Sequence, residues 1–113
     1  MSNWRIVYYK TPVGKFPVKE FIDNLNEKIQ SRVYNTLELL TEFGVRLGLP
    51  HAKKVTGTPL WELRILCGRS LRFFYVARLG KEFLLLHSFT KKTQKTPKKE
   101  IKIGLSRLKD FKA

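Results

Sequence analysis

The sequence predicts an α+β domain in which an antiparallel sheet carries helices packed on one face. Apolar residues recur at helical spacing in two separate parts of the chain, and three strand-like segments lie between them, the first two with side chains that alternate between the two faces. The turns between those three segments are too short for crossover connections, so the strands must be antiparallel neighbours. The predicted order is β-α-α-β-β-β-α, within a single domain spanning residues 1–113.

The first half of the chain is predicted to form one strand and two helices. Residues 4–9 are rich in aromatic and β-branched side chains, which favours a strand. Pro17 suits the first turn of a helix, and the residues after it have the i, i+3, i+4, i+7 apolar spacing. That stripe consists of Val18, Phe21, Ile22 and Leu25. Asn26 is predicted to cap a second helix, and Gly44 to end it.

The second half is predicted to form a loop, a three-stranded meander and a final helix. Residues 45–59 contain glycines and prolines and indicate a connecting loop. The three strands are predicted over Leu60–Leu66, Leu71–Arg78 and Glu82–Thr90. Short turns at 67–69 and 79–81 join them. Thr96 and Pro97 form a good N-cap and first-turn pair for the helix that follows.

The composition excludes several classes of protein. Hydrophobic residues make up 42% of the chain and aromatic residues 12%, which argues against disorder. The single cysteine, Cys67, excludes a disulfide framework and a cysteine-based zinc site. No apolar stretch approaches the ~20 residues that span a bilayer, and no apolar signal-peptide segment follows Met1. We therefore expect a reduced, cytoplasmic protein that does not bind membranes.

The formal net charge is +14, from 23 basic and 9 acidic residues. Residues 51–113 hold 16 of those basic residues and only 4 of the acidic ones. Such an excess indicates a polyanionic partner, most simply nucleic acid. A solvated charged surface is the alternative, but the bias extends into the predicted strands, where arginine alternates with apolar residues.

The residues that could carry chemistry are cations with one carboxylate. No glycine-rich phosphate loop occurs, and the two histidines, His51 and His87, have no acidic cluster around them, so we expect neither a metal nor another cofactor. Cleavage of RNA by its own 2′-hydroxyl needs only a base, an acid and charge stabilisation for the phosphorane. Arginine suits the phosphate, and crowded lysine or histidine suits proton transfer. The candidates on the polar sheet face and its rim are Lys53, Lys54, Glu62, Arg64, Arg72 and His87.

Aromatic side chains beside these cations, Phe74 and Phe89, are candidates for stacking on unpaired bases. Each candidate also has a purely structural interpretation. Lys53 and Lys54 are then solvated loop cations, the two arginines are cross-strand partners of Glu62, and the histidine of the last strand is half-buried. The combined pattern is more specific than any member alone.

Several short segments, taken in order, resemble RelE/HigB-type toxins, and the phage-derived subgroup of that superfamily most closely. The segments are Leu60-Trp61-Glu62-Leu63-Arg64, Leu71-Arg72-Phe73-Phe74-Tyr75, Leu85-Leu86-His87-Ser88-Phe89-Thr90-Lys91-Lys92, and Thr96-Pro97 opening a final helix. The element order is also that of the RelE-like fold. The resemblance covers nearly the whole chain.

This resemblance implies the toxin of a type II toxin–antitoxin pair: a metal-independent endoribonuclease that cuts mRNA on the ribosome and is neutralised by a small, often helix-turn-helix, antitoxin. The basic loop of such toxins falls on Lys53 and Lys54, and the arginines of their second and third strands fall on Arg64 and Arg72. The end of their last strand falls on His87, Phe89, Lys91 and Lys92. Many relatives carry a catalytic tyrosine or histidine near the chain end, whereas here no tyrosine follows Tyr75 and His87 is the nearby substitute.

We therefore predict an mRNA interferase. Arg64 and Arg72 would hold the scissile phosphate, Glu62 would orient one of them, and Lys53 or Lys54 would transfer protons together with His87. The residues predicted to hold the RNA backbone, ribosomal RNA included, are Lys91, Lys92, Lys95, Lys98 and Lys99. The alternative from another class is a non-catalytic RNA- or ribosome-binding module that blocks translation by occupancy. A DNA-binding regulator fits less well, because the basic residues fall on strands and a tail rather than on a recognition helix.

Overall fold

A computed structural model describes residues 4–67 and 70–112 and confirms the α+β class. The strands are β1 (Arg5–Tyr8), β2 (Ala52–Lys54), β3 (Trp61–Leu66), β4 (Ser70–Arg78) and β5 (Glu82–Thr90). The helices are α1 (Pro17–Asp23), α2 (Glu27–Phe43) and α3 (Lys98–Lys112), with a 3₁₀ turn at Gly44–Arg46. The predicted turn at 67–69 lies partly outside the described residues, since it includes residues 68 and 69. No helix in the described ranges is long and apolar enough to cross a membrane.

The five strands form one sheet in the order β1-β5-β4-β3-β2. β3, β4 and β5 are antiparallel neighbours, as their short turns predicted. Two features of the sheet differ from the prediction. β2 forms within the predicted loop and pairs with β3, and β1 runs parallel to β5, which the long connection between those two strands permits.

The expectation that all helices pack on one face is wrong. α1 and α2 cover one face, where Val18, Val33 and Leu40 pack on Leu63 and Phe73. α3 covers part of the opposite face, above the buried side chains Phe74, Val76, Leu84, Leu86 and Phe89. The central strands β4 and β5 are apolar on both faces, so both faces need a helix to exclude water.

Local capping follows the sequence in the first half of the chain. α1 begins at Pro17, and the Asn26 side chain accepts the Ile29 N–H at 2.9 Å at the start of α2. Gly44 ends α2 with φ +62°, and a Cβ there would lie 2.5 Å from the Trp4 Nε1. Only glycine satisfies both the backbone conformation and the close approach of the indole.

A β-bulge in β5 sets what lies beneath α3. Phe74 is paired with His87 and Tyr75 with Leu85, so Leu86 is the extra residue. The alternation of β5 therefore shifts by one residue, and both Leu86 and His87 meet α3.

α3 is fixed to the sheet by close packing and by polar contacts. A Cβ at Gly104 would lie 3.0 Å from side-chain carbons of Leu60 and Phe74, so the helix approaches the sheet closely at this point. The Tyr9 hydroxyl donates to Asp110 at 2.6 Å, and the Arg107 guanidinium donates to the Leu86 carbonyl at 2.9 Å. The helix covers the Leu60 end of the sheet and leaves the Arg64 end open to the loop that precedes it.

Candidate active site

A buried carboxylate, Glu62, lies at the centre of the polar sheet face. It is 4% exposed and comes from β3, where Arg64 follows two residues later on the same face. The register pairs Arg64 with Arg72 of β4, so both guanidinium groups flank the carboxylate. Arg72 Nε donates to Glu62 Oε1 at 3.0 Å, and Arg64 Nε lies 3.7 Å from the same oxygen. The sequence-predicted floor of two arginines and one glutamate is therefore assembled by neighbouring strands.

The second carboxylate oxygen of Glu62 ties the sheet to the loop before α3. Thr96 Oγ1 donates to Glu62 Oε2 at 2.8 Å. Thr96 was predicted to cap α3, which is wrong: α3 begins at Lys98, and its first hydrogen bonds go to the Pro97 carbonyl. A capping hydroxyl accepts a backbone N–H, whereas Thr96 donates to a carboxylate, and Pro97 rather than Thr96 precedes the first residue of the helix. Sequence reasoning missed this contact because a Thr-Pro pair is such a common helix start.

A cleft of about 490 Å³ lies over Glu62 and Arg64. Its charged lining residues are Lys53, Lys54, Glu62, Arg64, Lys91 and Lys95. Gln94 and Thr96 also line it, and neither was a sequence candidate. The excess of cations over the single carboxylate makes the cleft a site for an anion.

The two lysines of β2 differ in position. Lys53 is paired with Glu62 and therefore lies on the same face as the carboxylate. Lys54 is paired with Trp61, and its ammonium lies 5.7 Å from the centre of the Trp61 ring. Although Lys54 lines the cleft, its charge is engaged by the indole, so Lys53 is the better placed of the two for work on an anion above Glu62.

Lys91 stands out among the lysines of the loop. Its backbone N–H donates to the Ser70 carbonyl at 2.7 Å, which fixes the start of the loop against β4. Partial burial lowers the pKa of the Lys91 amine; Glu62 opposes this, and Arg72, Arg64 and Lys53 lower the pKa further. A larger neutral fraction at physiological pH suits an amine to accept a proton.

His87 does not line the cleft. It is 8% exposed, and its Nε2 lies 2.7 Å from Glu100 Oε1 beneath the first turn of α3. Arg107 Nη1 lies 3.3 Å from the other ring nitrogen. Burial lowers the pKa of His87, the hydrogen bond to Glu100 opposes this, and Arg107 adds to the lowering. This position agrees with the structural interpretation of His87, although the side chain is buried rather than half-buried.

The prediction that Phe74 and Phe89 stack on bases is wrong. Phe74 is 0% exposed and Phe89 6%, and their ring centres lie 5.1 Å apart within the core beneath α3. The prediction failed because it assumed that this sheet face carries no helix. Neither ring presents a surface to a ligand.

The remaining predicted RNA-binding lysines lie along one exposed segment. Lys92 and Lys95 belong to the loop between β5 and α3, and Lys98 and Lys99 to the first turn of α3. All four are exposed. We call the segment from Lys91 to Lys99 the lysine loop. It forms a cationic rim beside the cleft, where it can contact an extended polyanion.

A family model described as "Phage derived protein Gp49-like (DUF891)" matches residues 20–109, a span that includes the cleft and the lysine loop. No curated protein matches the chain.

Proposed function

Because the chain belongs to the Gp49-like family of phage-derived proteins, a toxin-like family related to RelE/HigB-type toxins, we propose that it is the toxin of a type II toxin–antitoxin pair that cleaves mRNA. In this proposal the target is mRNA on the ribosome, no metal takes part, and a small helix-turn-helix antitoxin neutralises the enzyme. One observation carries the proposal: Glu62 lines a cationic cleft together with Lys53, Arg64 and Lys91, and the same carboxylate holds Arg72 at 3.0 Å.

The chemistry that this arrangement supports is attack of a 2′-hydroxyl on the adjacent phosphorus. The new O2′–P bond forms in line with the P–O5′ bond that breaks, which leaves a 2′,3′-cyclic phosphate and a 5′-hydroxyl. Arg72 neutralises the charge that develops on the phosphorane oxygens, and Arg64 binds the RNA strand beside it. We assign the base to Lys91, whose pKa is lowered, and the acid that protonates O5′ to Lys53, across from Glu62.

Glu62 acts in this scheme as a positioning residue. It holds the guanidinium of Arg72 through Oε1 and the lysine loop through Thr96 at Oε2. One carboxylate thus fixes both the phosphate-binding floor and the segment that carries Lys91. The exposed lysines of the loop bind the RNA backbone, ribosomal RNA included.

The experiment is inducible expression followed by primer extension on a defined mRNA. Expression of the native chain should arrest growth and produce discrete new 5′ ends. Arg72→Ala should remove both effects in a purified variant whose circular dichroism spectrum matches that of the native protein, a necessary check because the substitution removes one partner of the buried pair. A variant that remains fully toxic would remove Arg72 from the mechanism.

A non-catalytic inhibitor that occupies RNA or the ribosome is the second candidate. The burial of His87 against Glu100 favours it, because the histidine first assigned to proton transfer does not reach the cleft. The same primer extension separates the two candidates. Growth arrest with intact mRNA would support occupancy, whereas new 5′ ends require cleavage.

A further inference from the structure

Arg64 and Arg72 are direct cross-strand partners, yet they line two different hollows. Arg64 lines the cleft of about 490 Å³ described above. Arg72 lines a neighbouring hollow of about 570 Å³, together with Ser70 and Lys92. The cationic face is therefore divided, with one arginine on each side.

Lys91 marks the division, because it lines both hollows together with Gln94. Its ammonium is close enough to both arginines to be influenced by each of them. An anion in either hollow thus meets one arginine of its own and shares this lysine with its neighbour.

Glu62 holds the guanidinium group of Arg72 by a hydrogen bond and lies near that of Arg64. Its Oε1 faces the Nε of both, at 3.0 Å for Arg72 and 3.7 Å for Arg64. Arg72 also uses one Nη1 hydrogen on the Leu71 carbonyl, so three of the five N–H donors of that guanidinium are left for a ligand. Arg72 is held rigidly as a binding group, and rigid donors lose less entropy when an anion binds.

We infer that this site takes two consecutive phosphates of one RNA strand, one in the Arg64 hollow and one in the Arg72 hollow, with Lys91 between them. The inference rests on the proposed function and specifies its ligand. The smallest RNA that fills both hollows is a trinucleotide with two phosphodiesters. A dinucleotide, which has one phosphodiester, fills only one of them.

The test is a binding titration with short RNAs that cannot be cleaved, since their 2′-hydroxyls are methylated. Native protein is titrated by fluorescence anisotropy with a dinucleotide, a trinucleotide, and two trinucleotides in which one phosphate or the other is a neutral methylphosphonate. We expect each methylphosphonate to weaken binding about tenfold, since each removes a charge-assisted contact. Each should also lower the salt dependence of log K by about 0.7.

The assignment of each phosphate to a hollow is tested by titrating the variants Arg64→Gln and Arg72→Gln with each of these RNAs. Each variant should reduce the loss of affinity that one methylphosphonate causes and leave the loss from the other unchanged. The two variants should differ in which loss is reduced. Arg78→Gln is the matched control, because it removes an arginine from the far end of β4, where Arg78 pairs with Glu82. It should behave as the native protein does.

A dinucleotide that binds as tightly as the trinucleotide would overturn the inference. The inference would also be overturned if both variants reduced the affinity loss caused by the same methylphosphonate. If an arginine variant fails to fold, the two methylphosphonate losses on native protein still decide whether two phosphates are bound. The outcome is independent of cleavage, because the RNAs carry no free 2′-hydroxyl. If the protein shows the predicted binding pattern but cuts no mRNA, the proposed function is refuted and the inference about two phosphates stands. If it cuts mRNA without that binding pattern, the inference is refuted and the proposed function stands.

Discussion

Replacement of Glu62 by glutamine tests how the site is built. The side chain of Glu62 is 6% exposed and that of Arg72 15%, so their ion pair is well shielded from water. Removal of one partner of a buried pair costs about 3–5 kcal/mol of stability. Glutamine keeps the volume and one acceptor oxygen but loses the charge, so we expect Glu62→Gln to lower the free energy of unfolding by about half of that, ~2 kcal/mol.

The same variant separates binding from cleavage. Loss of one negative charge raises the net positive charge of the cleft, so RNA affinity should stay equal or increase. Cleavage should fall about 100-fold, because Arg72 and the lysine loop lose the group that positions them. Urea unfolding, anisotropy with uncleavable RNA and single-turnover cleavage measure the three quantities.

Glu82→Gln is the matched control for this prediction. Glu82 also pairs with two arginines, Arg5 and Arg78. It is the first residue of β5, away from the cleft, and its side chain is more exposed than that of Glu62. It should lower stability by at most about 1 kcal/mol and leave cleavage unchanged. If Glu62→Gln matched the native protein in both stability and cleavage, the account of the site as a carboxylate-centred assembly would be refuted.

Four further predictions concern other parts of the molecule. Arg72→Ala should lower cleavage at least 100-fold, since it removes a donor to the transition state, whereas Arg78→Ala on the same strand should not. Lys91→Arg keeps the charge but not the lowered pKa, so RNA affinity should persist while cleavage falls about 100-fold. The plot of cleavage rate against pH should also lose the rise that titration of Lys91 causes below pH 10.5. Burial lowers the pKa of His87 below its unfolded value of 6.5. The contribution of His87 to stability is therefore complete above pH 6.5 and is lost as the pH falls through the folded-state pKa. The free energy of unfolding in urea should differ less between pH 7.5 and pH 5.5 in His87→Asn than in native protein. Gly104→Leu should destabilise the fold by about 1–3 kcal/mol in urea unfolding, because even a Cβ there would lie 3.0 Å from neighbouring side chains.

Controls and contradicting results follow from the same contacts. Lys102→Arg and Ser106→Leu alter exposed positions of α3 outside the cleft and should have little effect on cleavage and stability, respectively. Full activity in Lys91→Arg would remove that lysine from proton transfer. An equal pH dependence in native protein and His87→Asn would show that the histidine is not buried neutral in the folded state.

The strands of the second half of the chain could be predicted from the sequence, because their pattern depends on local chemistry. Glu62 and Arg64 alternate with apolar residues, and short turns force β3, β4 and β5 to be neighbours, so the floor of the cleft follows from period-two alternation alone. The capping roles of Asn26 and Gly44 could be predicted for the same reason, since a cap contacts only the end of the helix beside it.

The features that were missed depend on tertiary contacts. The position of α3 on the second face follows from Phe74, Val76 and the run of leucines in β5, which make the central strands apolar on both faces. The bulge at Leu86 then turns His87 towards Glu100, and no periodicity in the sequence marks that extra residue. Thr96 donates to Glu62, 34 positions away, and a contact over that separation cannot be predicted from local sequence.

The end groups left on a cut mRNA test the central claim most directly. A purified defined mRNA, programmed on ribosomes, is incubated with the protein in the presence of a chelator, and the fragments are analysed by primer extension and by end-group chemistry. The account predicts discrete cuts that leave a 2′,3′-cyclic phosphate and a 5′-hydroxyl, undiminished by the chelator and abolished in Arg72→Ala. Full-length mRNA under conditions in which the protein stops translation would contradict it.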